Sequence, residues 1–241
     1  MNNWIVMVVA FIVMLIVNGL GSAGYINGQS QAEISDKLDV LFTPDGYVFS
    51  IWGLIYFLVA IWLLVQYRRL KNSDPTPSKI VYLFVATCVF NVLWLLTWHY
   101  ERFAIAQVMM FALLLSLLIL YMNYTKADYS FGGRLPFSFY TGWISVATIA
   151  NMSYTLKYYE ISLGINKVTG TIGLVLIALL LGIATLYRRY DPFYALVFIW
   201  ALIGIATVNE TNSLVTTAYI CAIVLALAII GLFFVKRKET V

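Results

Sequence analysis

The chain has 241 residues, of which 62% are hydrophobic and 11% are charged, and its formal net charge is +4. Soluble domains are about 45–50% apolar and about 25% charged, so this composition excludes an intrinsically disordered chain and argues strongly against a soluble globule. A membrane protein that crosses the bilayer several times is the class that remains.

Eight apolar runs follow one another along the chain, each close to the roughly 20 residues that a transmembrane helix needs. Barrel strands are excluded because they alternate apolar and polar residues, and helices are the remaining way to satisfy the backbone within a bilayer. The sequence therefore predicts an all-α polytopic membrane protein. The predicted spans are 4–22, 47–66, 80–98, 103–124, 135–156, 168–187, 192–209 and 213–235.

The distribution of basic residues predicts the orientation. With the N-terminus inside, 11 of the 15 Lys and Arg residues fall in inside segments and four in outside segments. Such a bias is typical of cytoplasmic loops, and eight spans then put both termini in the cytoplasm. Basic residues at helix ends anchor to anionic headgroups, so the net charge indicates the lipid bilayer as a partner and no nucleic acid. A bacterial inner membrane is the expected location.

The longest predicted loop, residues 23–46, lies outside and carries four carboxylates, Glu33, Asp36, Asp39 and Asp45. It is either a solvated loop or a lid over an outward-facing cavity, because long loops in compact proteins are often functional. The sequence contains no glycine-rich phosphate loop, zinc motif or nucleophile elbow. This argues against an ATP-driven pump or a hydrolase.

Polar and aromatic residues share helix faces within three of the predicted spans. An Asn inside a span is costly unless it is paired, so these side chains are expected to point into the bundle. Interhelical hydrogen bonds with interfacial aromatic belts would explain the pattern. An aromatic-walled pocket for a large, flat apolar ligand would also explain it. The candidate site residues are Trp52 and Tyr56, Asn91 and Trp94, Trp143, Ala147 and Asn151, with Tyr47 at the outer interface.

Three blocks of the sequence resemble the TspO/MBR family, the tryptophan-rich sensory proteins and translocator proteins. Residues 42–56, FTPDGYVFSIWGLIY, are similar to the family's proline turn and its "VWxxLY" signature. Residues 90–94, FNVLW, are similar to its "LNxxW" block, and residues 143–151, WISVATIAN, to its block ending in "FAxxLN". The blocks occur in the family's order and spacing.

The resemblance implies a five-helix ligand-binding unit at residues 1–160, with a pocket closed by the first outside loop. Trp52, Trp143, Asn91 and Ala147 fall on the family's pocket positions. It also implies a bound porphyrin or other tetrapyrrole, with no cofactor required, and a homodimer. Some members bind sterols, but the sterol-type pattern is incomplete here. Other departures are Asp45 and Tyr47, where the family has Pro and Trp, and Leu95-Leu96, where many members have a proline.

Residues 161–241 form a predicted three-helix transmembrane extension that the five-helix family unit does not need. If these helices pack over the pocket, Glu210 could close it; they could equally cover the surface through which family members pair. The predicted function is a sensor or carrier that binds a small hydrophobic molecule. The alternatives are a light-dependent porphyrin-degrading enzyme, implied by the resemblance alone, and a secondary transporter, although no paired intramembrane charges or inverted repeat support the latter.

Overall fold

A computed structural model describes residues 2–126, 128–162 and 164–238, and within them the chain forms nine α-helices, one 3₁₀ segment and no strand. We call the end of the bundle that carries the loop 23–50 the outer end, in keeping with the predicted orientation. The helices are α1 (Asn2–Ser22), α2 (Gln31–Asp36), α3 (Ile51–Lys71), α4 (Ser78–His99), α5 (Phe103–Met122), α6 (Leu135–Tyr158), α7 (Lys167–Arg189), α8 (Pro192–Val208) and α9 (Asn212–Lys238), with the 3₁₀ segment at Gly46–Ser50.

Each predicted span coincides with one long helix, which confirms the all-helical prediction. The second span differs in its start, because residues 47–50 belong to the 3₁₀ segment and α3 begins at Ile51. Among the described residues, six helices are long and apolar enough to cross a membrane: α1, α3, α4, α5, α7 and α9. Helix α8 has only 17 residues, and α6 is not among the six. The total of eight spans and the orientation of the termini therefore stay predictions.

Local sequence signals explain where several helices begin. The Ser30 hydroxyl accepts a hydrogen bond from the Glu33 main-chain N–H, and the Glu33 carboxylate accepts one from Ser30, so α2 starts in a capping box. The Asn166 side chain caps α7 by accepting from the Val168 main-chain N–H. At α8, Pro192 occupies the first helical position after the capping residue Asp191. These contacts satisfy helix N–H groups that have no intrahelical partner.

The three C-terminal helices attach to the rest of the bundle mainly through α8. Helix α6 packs on α3, α5 and α8, whereas α7 packs on α8 and α9. A single cluster of buried apolar side chains extends from Met7 in α1 to Leu225 in α9. This core crosses residue 160, where the sequence predicts a boundary between two units; that boundary stays a prediction.

A candidate ligand cavity beneath the outer loop

A small cavity lies inside the bundle directly below the outer loop, with a volume of about 70 Å³. Helices α3 to α6 form its walls, and the outer loop forms its roof. The wall residues are Trp52, Trp94, Trp98, Met110, Trp143, Val146, Ala147, Ala150, Asn151 and Tyr154. The roof residues are Gln31, Ser35, Thr43, Pro44 and Phe49.

Trp52 is the centre of an aromatic cluster that joins three helices. Its ring lies nearly parallel to that of Trp94, with centroids 6.5 Å apart, and edge-on to that of Trp143, with centroids 6.3 Å apart. The ring of Tyr140 also meets Trp52 edge-on at 5.9 Å. Such contacts are favourable beyond the apolar area that they bury. The walls are thus large, flat aromatic surfaces that meet one another across a narrow space.

Asn151 supplies the polar group of the cavity wall and is itself hydrogen bonded on both sides. The Trp94 indole N–H donates to the Asn151 side-chain oxygen at 3.1 Å. The Asn151 amide N–H donates to the Gln107 side-chain oxygen at 2.6 Å. Asn151 is therefore paired, as expected for an amide within a transmembrane helix.

Two buried donors near the cavity have no hydrogen-bond partner among the described residues: the indole N–H of Trp143 and the amide N–H of Gln107. Both residues are almost completely buried. An unpaired buried donor carries the full desolvation cost of its polar group, so such groups usually have a partner in the working state. The Trp143 side chain lines the cavity, but its N–H is itself inaccessible, so an acceptor atom would reach it only after neighbouring side chains move.

The structure brings five of the eight predicted site residues to this cavity and places the other three elsewhere. Trp52, Trp94, Trp143, Ala147 and Asn151 line it. Tyr56 lines a second cavity of about 300 Å³ between α1 and α3, which shares Gln31, Phe49 and Trp52 with the first. Tyr47 is 42% exposed and meets the edge of the Trp200 ring, outside the cavity.

Asn91 is completely buried behind the cavity wall and belongs to a separate polar network. Its side-chain oxygen accepts a hydrogen bond from the Asn18 amide at 2.7 Å, and its amide donates to the Tyr140 hydroxyl at 3.2 Å. The network joins α1, α4 and α6. Asn91 thus supports the ring of Tyr140, which in turn packs against Trp52.

Sequence reasoning missed Gln107, Met110 and Tyr140. A single Gln within the apolar run of α5 is the one signal that marked Gln107, because an amide inside a span has to find a partner. Met110 and Tyr140 resemble ordinary core residues in the sequence.

The sequence offered Glu210 as a residue that could close the pocket. In the structure Glu210 is exposed, and its neighbour Asn209 contacts the loop instead.

The cavity lining among the described residues contains no Asp, Glu, Lys, Arg or His. The lining consists mainly of aromatic and small apolar side chains, with a few uncharged polar groups.

The sequence profile of the family described as "TSPO-like protein" matches residues 4–231. The match runs through the three C-terminal helices as well as the five-helix unit. No curated protein and no solved structure gave a significant match to this chain. The profile covers nearly the whole chain and agrees with the three sequence blocks that resemble the TspO/MBR family. The chain therefore belongs to the TSPO-like protein family and is a multi-pass helical membrane protein.

Proposed function

We propose that this protein binds a flat, largely apolar small molecule, of the tetrapyrrole class, in the cavity beneath the outer loop, and acts as a sensor or carrier for it. The observation that carries the proposal is the cluster of Trp52, Trp94 and Trp143 around one internal cavity. Flat aromatic walls suit a flat aromatic ligand, because stacking buries large apolar faces and leaves the ring edges free for polar contacts.

The cavity has to widen before such a ligand fits. Small-molecule sites typically measure about 300–1,000 Å³, whereas this cavity measures about 70 Å³. The second cavity, of about 300 Å³, lies on the other side of Trp52 and Phe49, which line both spaces. We expect a change of rotamer at these two side chains to merge the cavities into one site bounded by α1 and by α3 to α6.

The unpaired indole N–H of Trp143 favours a ligand that carries a hydrogen-bond acceptor. A carboxylate or carbonyl oxygen at the edge of a tetrapyrrole would satisfy this donor, and the bond would form in a site sheltered from water. A purely apolar ligand would leave the donor unpaired. The proposal therefore predicts that acceptor-bearing ligands bind more tightly than hydrocarbons of the same shape.

The first experiment is a titration of the detergent-purified protein with protoporphyrin IX, followed by tryptophan fluorescence and porphyrin absorbance. Trp52→Phe and Trp143→Phe should each weaken saturable binding by roughly two- to tenfold, the scale of one lost aromatic contact. Trp4→Phe is the matched control, because Trp4 donates its indole N–H to the Leu63 main-chain oxygen far from the cavity. Binding that stays unchanged in both cavity variants would contradict the assignment of the site.

A light-dependent degradation of bound porphyrin is a second candidate, because four tryptophans line the cavity. In that reaction the light-excited porphyrin would accept an electron from a neighbouring tryptophan, which gives a tryptophan radical cation and a porphyrin radical anion. Dioxygen would be the oxidant for opening of the macrocycle, and the protein would supply the binding site. Illuminated turnover should then fall in Trp52→Phe and Trp143→Phe. Turnover that persists in both variants would argue against participation of these residues.

We further propose that the protein lies in the inner membrane of a bacterium with both termini in the cytoplasm. The excess of Lys and Arg in the predicted inside segments supports this orientation. A reporter that works only in the cytoplasm should be active when it is fused to the C-terminus, and a reporter that works only in the periplasm should be inactive there.

We also propose a homodimer, as the family resemblance implies. Native mass spectrometry, in which the detergent is stripped from the protein in the gas phase, should then give twice the mass of one chain.

A further inference from the structure

The outer loop is held by two different sets of partners along its length. Its first half contacts the outer end of α4: the Asn27 amide donates to the His99 main-chain oxygen at 2.8 Å, and the Gln29 amide donates to the Glu101 carboxylate at 3.2 Å. Lys37 also forms an ion pair with Glu101. These partners all belong to the five-helix unit.

The second half of the loop, residues 39–50, is held largely by the C-terminal helices. The Asp45 main-chain N–H donates to the Gly204 oxygen at 3.1 Å. The Trp200 indole N–H donates to the Val48 oxygen at 3.0 Å, and the Asn209 amide donates to the Leu41 oxygen at 3.0 Å. All three partners lie along α8 or cap its end. The loop therefore runs along α8 and bonds to it at three points.

Gly204 permits this close approach. A Cβ atom at Gly204 would lie 2.2 Å from the Val48 Cγ2 and 3.2 Å from the Pro44 Cβ. Val48 is completely buried at this contact. A side chain at position 204 would thus force the loop away from α8, so the glycine is a requirement of the contact.

We infer that α8 is a clamp that holds residues 39–50 closed over the aromatic cavity, so that the C-terminal helices set how often the cavity opens. Thr43, Pro44 and Phe49 are cavity roof residues within this segment. Since the closed cavity is far smaller than a tetrapyrrole, we expect such a ligand to enter when this segment lifts and Trp52 and Phe49 change rotamer. The consequence for ligand exchange rests on the proposed function, whereas the clamp itself does not.

The charges at the segment's start extend the same contact to α7. Asp39 pairs with Lys167 at the beginning of α7, and its main-chain oxygen accepts a hydrogen bond from Lys157 at the end of α6. The Lys167 pair is exposed, and exposed pairs contribute little. We therefore assign the larger part of the clamp to the partly buried contacts with Trp200, Gly204 and Asn209.

The test measures opening without any ligand. A147C, on the cavity wall, is made in a background of Cys88→Ala and Cys221→Ala, which removes both native thiols. The rate at which a water-soluble maleimide labels A147C then reports how often the roof opens. A150C, at a second wall position, is a replacement reporter if A147C folds poorly.

Three clamp variants have matched controls in the same chain. Trp200→Phe is compared with Trp4→Phe, since both remove an indole N–H bond to a main-chain oxygen. Asn209→Ala is compared with Asn123→Ala. In both wild-type residues the side-chain amide donates to the main-chain oxygen four residues earlier, and the Asn209 amide donates to the Leu41 oxygen in the loop as well. Gly204→Ala is compared with Gly173→Ala, where nothing lies within 4 Å of the added Cβ.

Trp200→Phe and Asn209→Ala should each raise the labelling rate by roughly two- to tenfold, the range expected for one lost hydrogen bond, while their controls stay at the wild-type rate. Gly204→Ala should raise the rate as well, because its added Cβ displaces Val48, whereas Gly173→Ala should not. The thermal midpoint should stay similar within the Trp and Asn pairs, which separates opening of the roof from loss of stability. In the glycine pair, only Gly204→Ala places a Cβ against a buried side chain, so its labelling is measured well below both midpoints. Unchanged labelling in all three variants would overturn the clamp, and so would an equal increase in the controls. Faster labelling without porphyrin binding would support the clamp and reject the proposed ligand.

Discussion

Arg134 and Asp191 form an ion pair at the inner end of the bundle, with 3.5 Å between the Arg134 Nε and the Asp191 Oδ2, and neither side chain is exposed. The same carboxylate oxygen accepts hydrogen bonds from the Tyr121 hydroxyl at 2.7 Å and the Ser138 hydroxyl at 2.6 Å. Arg134 also donates to the Arg189 main-chain oxygen at 3.0 Å. These bonds connect α5 and α6 to the turn between α7 and α8, so they hold the C-terminal helices in register with the five-helix unit.

Removing this carboxylate should destabilise the protein strongly. Asp191→Ala leaves the Arg134 guanidinium buried without its counter-ion, and it also removes the side chain that caps α8. Breaking a buried pair from one side typically costs about 3–5 kcal/mol. Thermal or chemical unfolding in detergent would measure the loss.

Asp74→Ala is the matched control, because Asp74 pairs with Arg69 at a position where both side chains are exposed. An exposed pair contributes about 0–1 kcal/mol. Equal losses in the two variants would mean that burial of the Arg134–Asp191 pair has no special consequence.

The Asn18–Asn91–Tyr140 network should behave as one unit. Asn91→Ala leaves both the Asn18 amide and the Tyr140 hydroxyl without their bonds to Asn91, at an expected cost of about 1–3 kcal/mol. Asn18→Ala in addition should cost less than it does alone, because its partner is already gone. A double-mutant cycle in unfolding experiments would give a coupling of about 0.5–3 kcal/mol. Strict additivity would show that the two side chains contribute independently.

The crossing of α6 and α8 depends on the absence of a side chain at Gly142. A Cβ there would lie 3.1 Å from the Val197 Cβ and 3.2 Å from the Tyr194 main-chain oxygen. Gly142→Val should therefore separate the helices and cost about 1–3 kcal/mol through overpacking. At Gly53 nothing lies within 4 Å of an added Cβ, so Gly53→Val should change stability by less than about 0.5 kcal/mol. A thermal midpoint that falls equally in both variants would contradict this account.

Acid should loosen the loop over the cavity. The hydrogen bond from Lys167 lowers the pKa of Asp39 below its usual value of 3.8, and the bond from Lys37 lowers that of Glu101 below 4.5. A lowered pKa means that the pair is complete above the usual value and is lost as the pH falls through the lowered one. Because maleimide reacts with the thiolate, the labelling rate of A147C is divided at each pH by that of a free thiol in solution. This relative rate should thus be constant from about pH 7 to 5 and rise a few-fold below about pH 4.

Asp39→Asn provides the comparison for this pH dependence. It removes the charge that Lys167 neutralises and leaves the Glu101–Lys37 pair in place. Its relative labelling rate at neutral pH should therefore lie between those of the wild type at neutral pH and in acid. A rate that rises between pH 7 and 5 instead would point to a group with a higher pKa than either carboxylate.

How far the sequence predicts the site depends on whether the signal is local. Trp94 and Asn151 lie on helix faces that periodicity identifies, and the structure brings both to the cavity. Asn91 lies three residues before Trp94, so the spacing predicts that both side chains lie on the same face of α4. In the structure Asn91 points to α1, because Asn18 is available there as a hydrogen-bond partner. Tyr47 precedes α3 by four residues, and the 3₁₀ segment turns it toward Trp200 instead of the cavity.

By itself, the sequence determined the helical membrane class, the positions of the long helices and the family, because each follows from composition, from apolar runs or from short motifs within one segment. Only the tertiary structure revealed that Arg134 is a buried partner of Asp191 and that α8 holds the outer loop. Each of these contacts joins residues more than 50 positions apart in the chain. Their formation depends on which helices become neighbours, which the periodicity of a single helix does not specify.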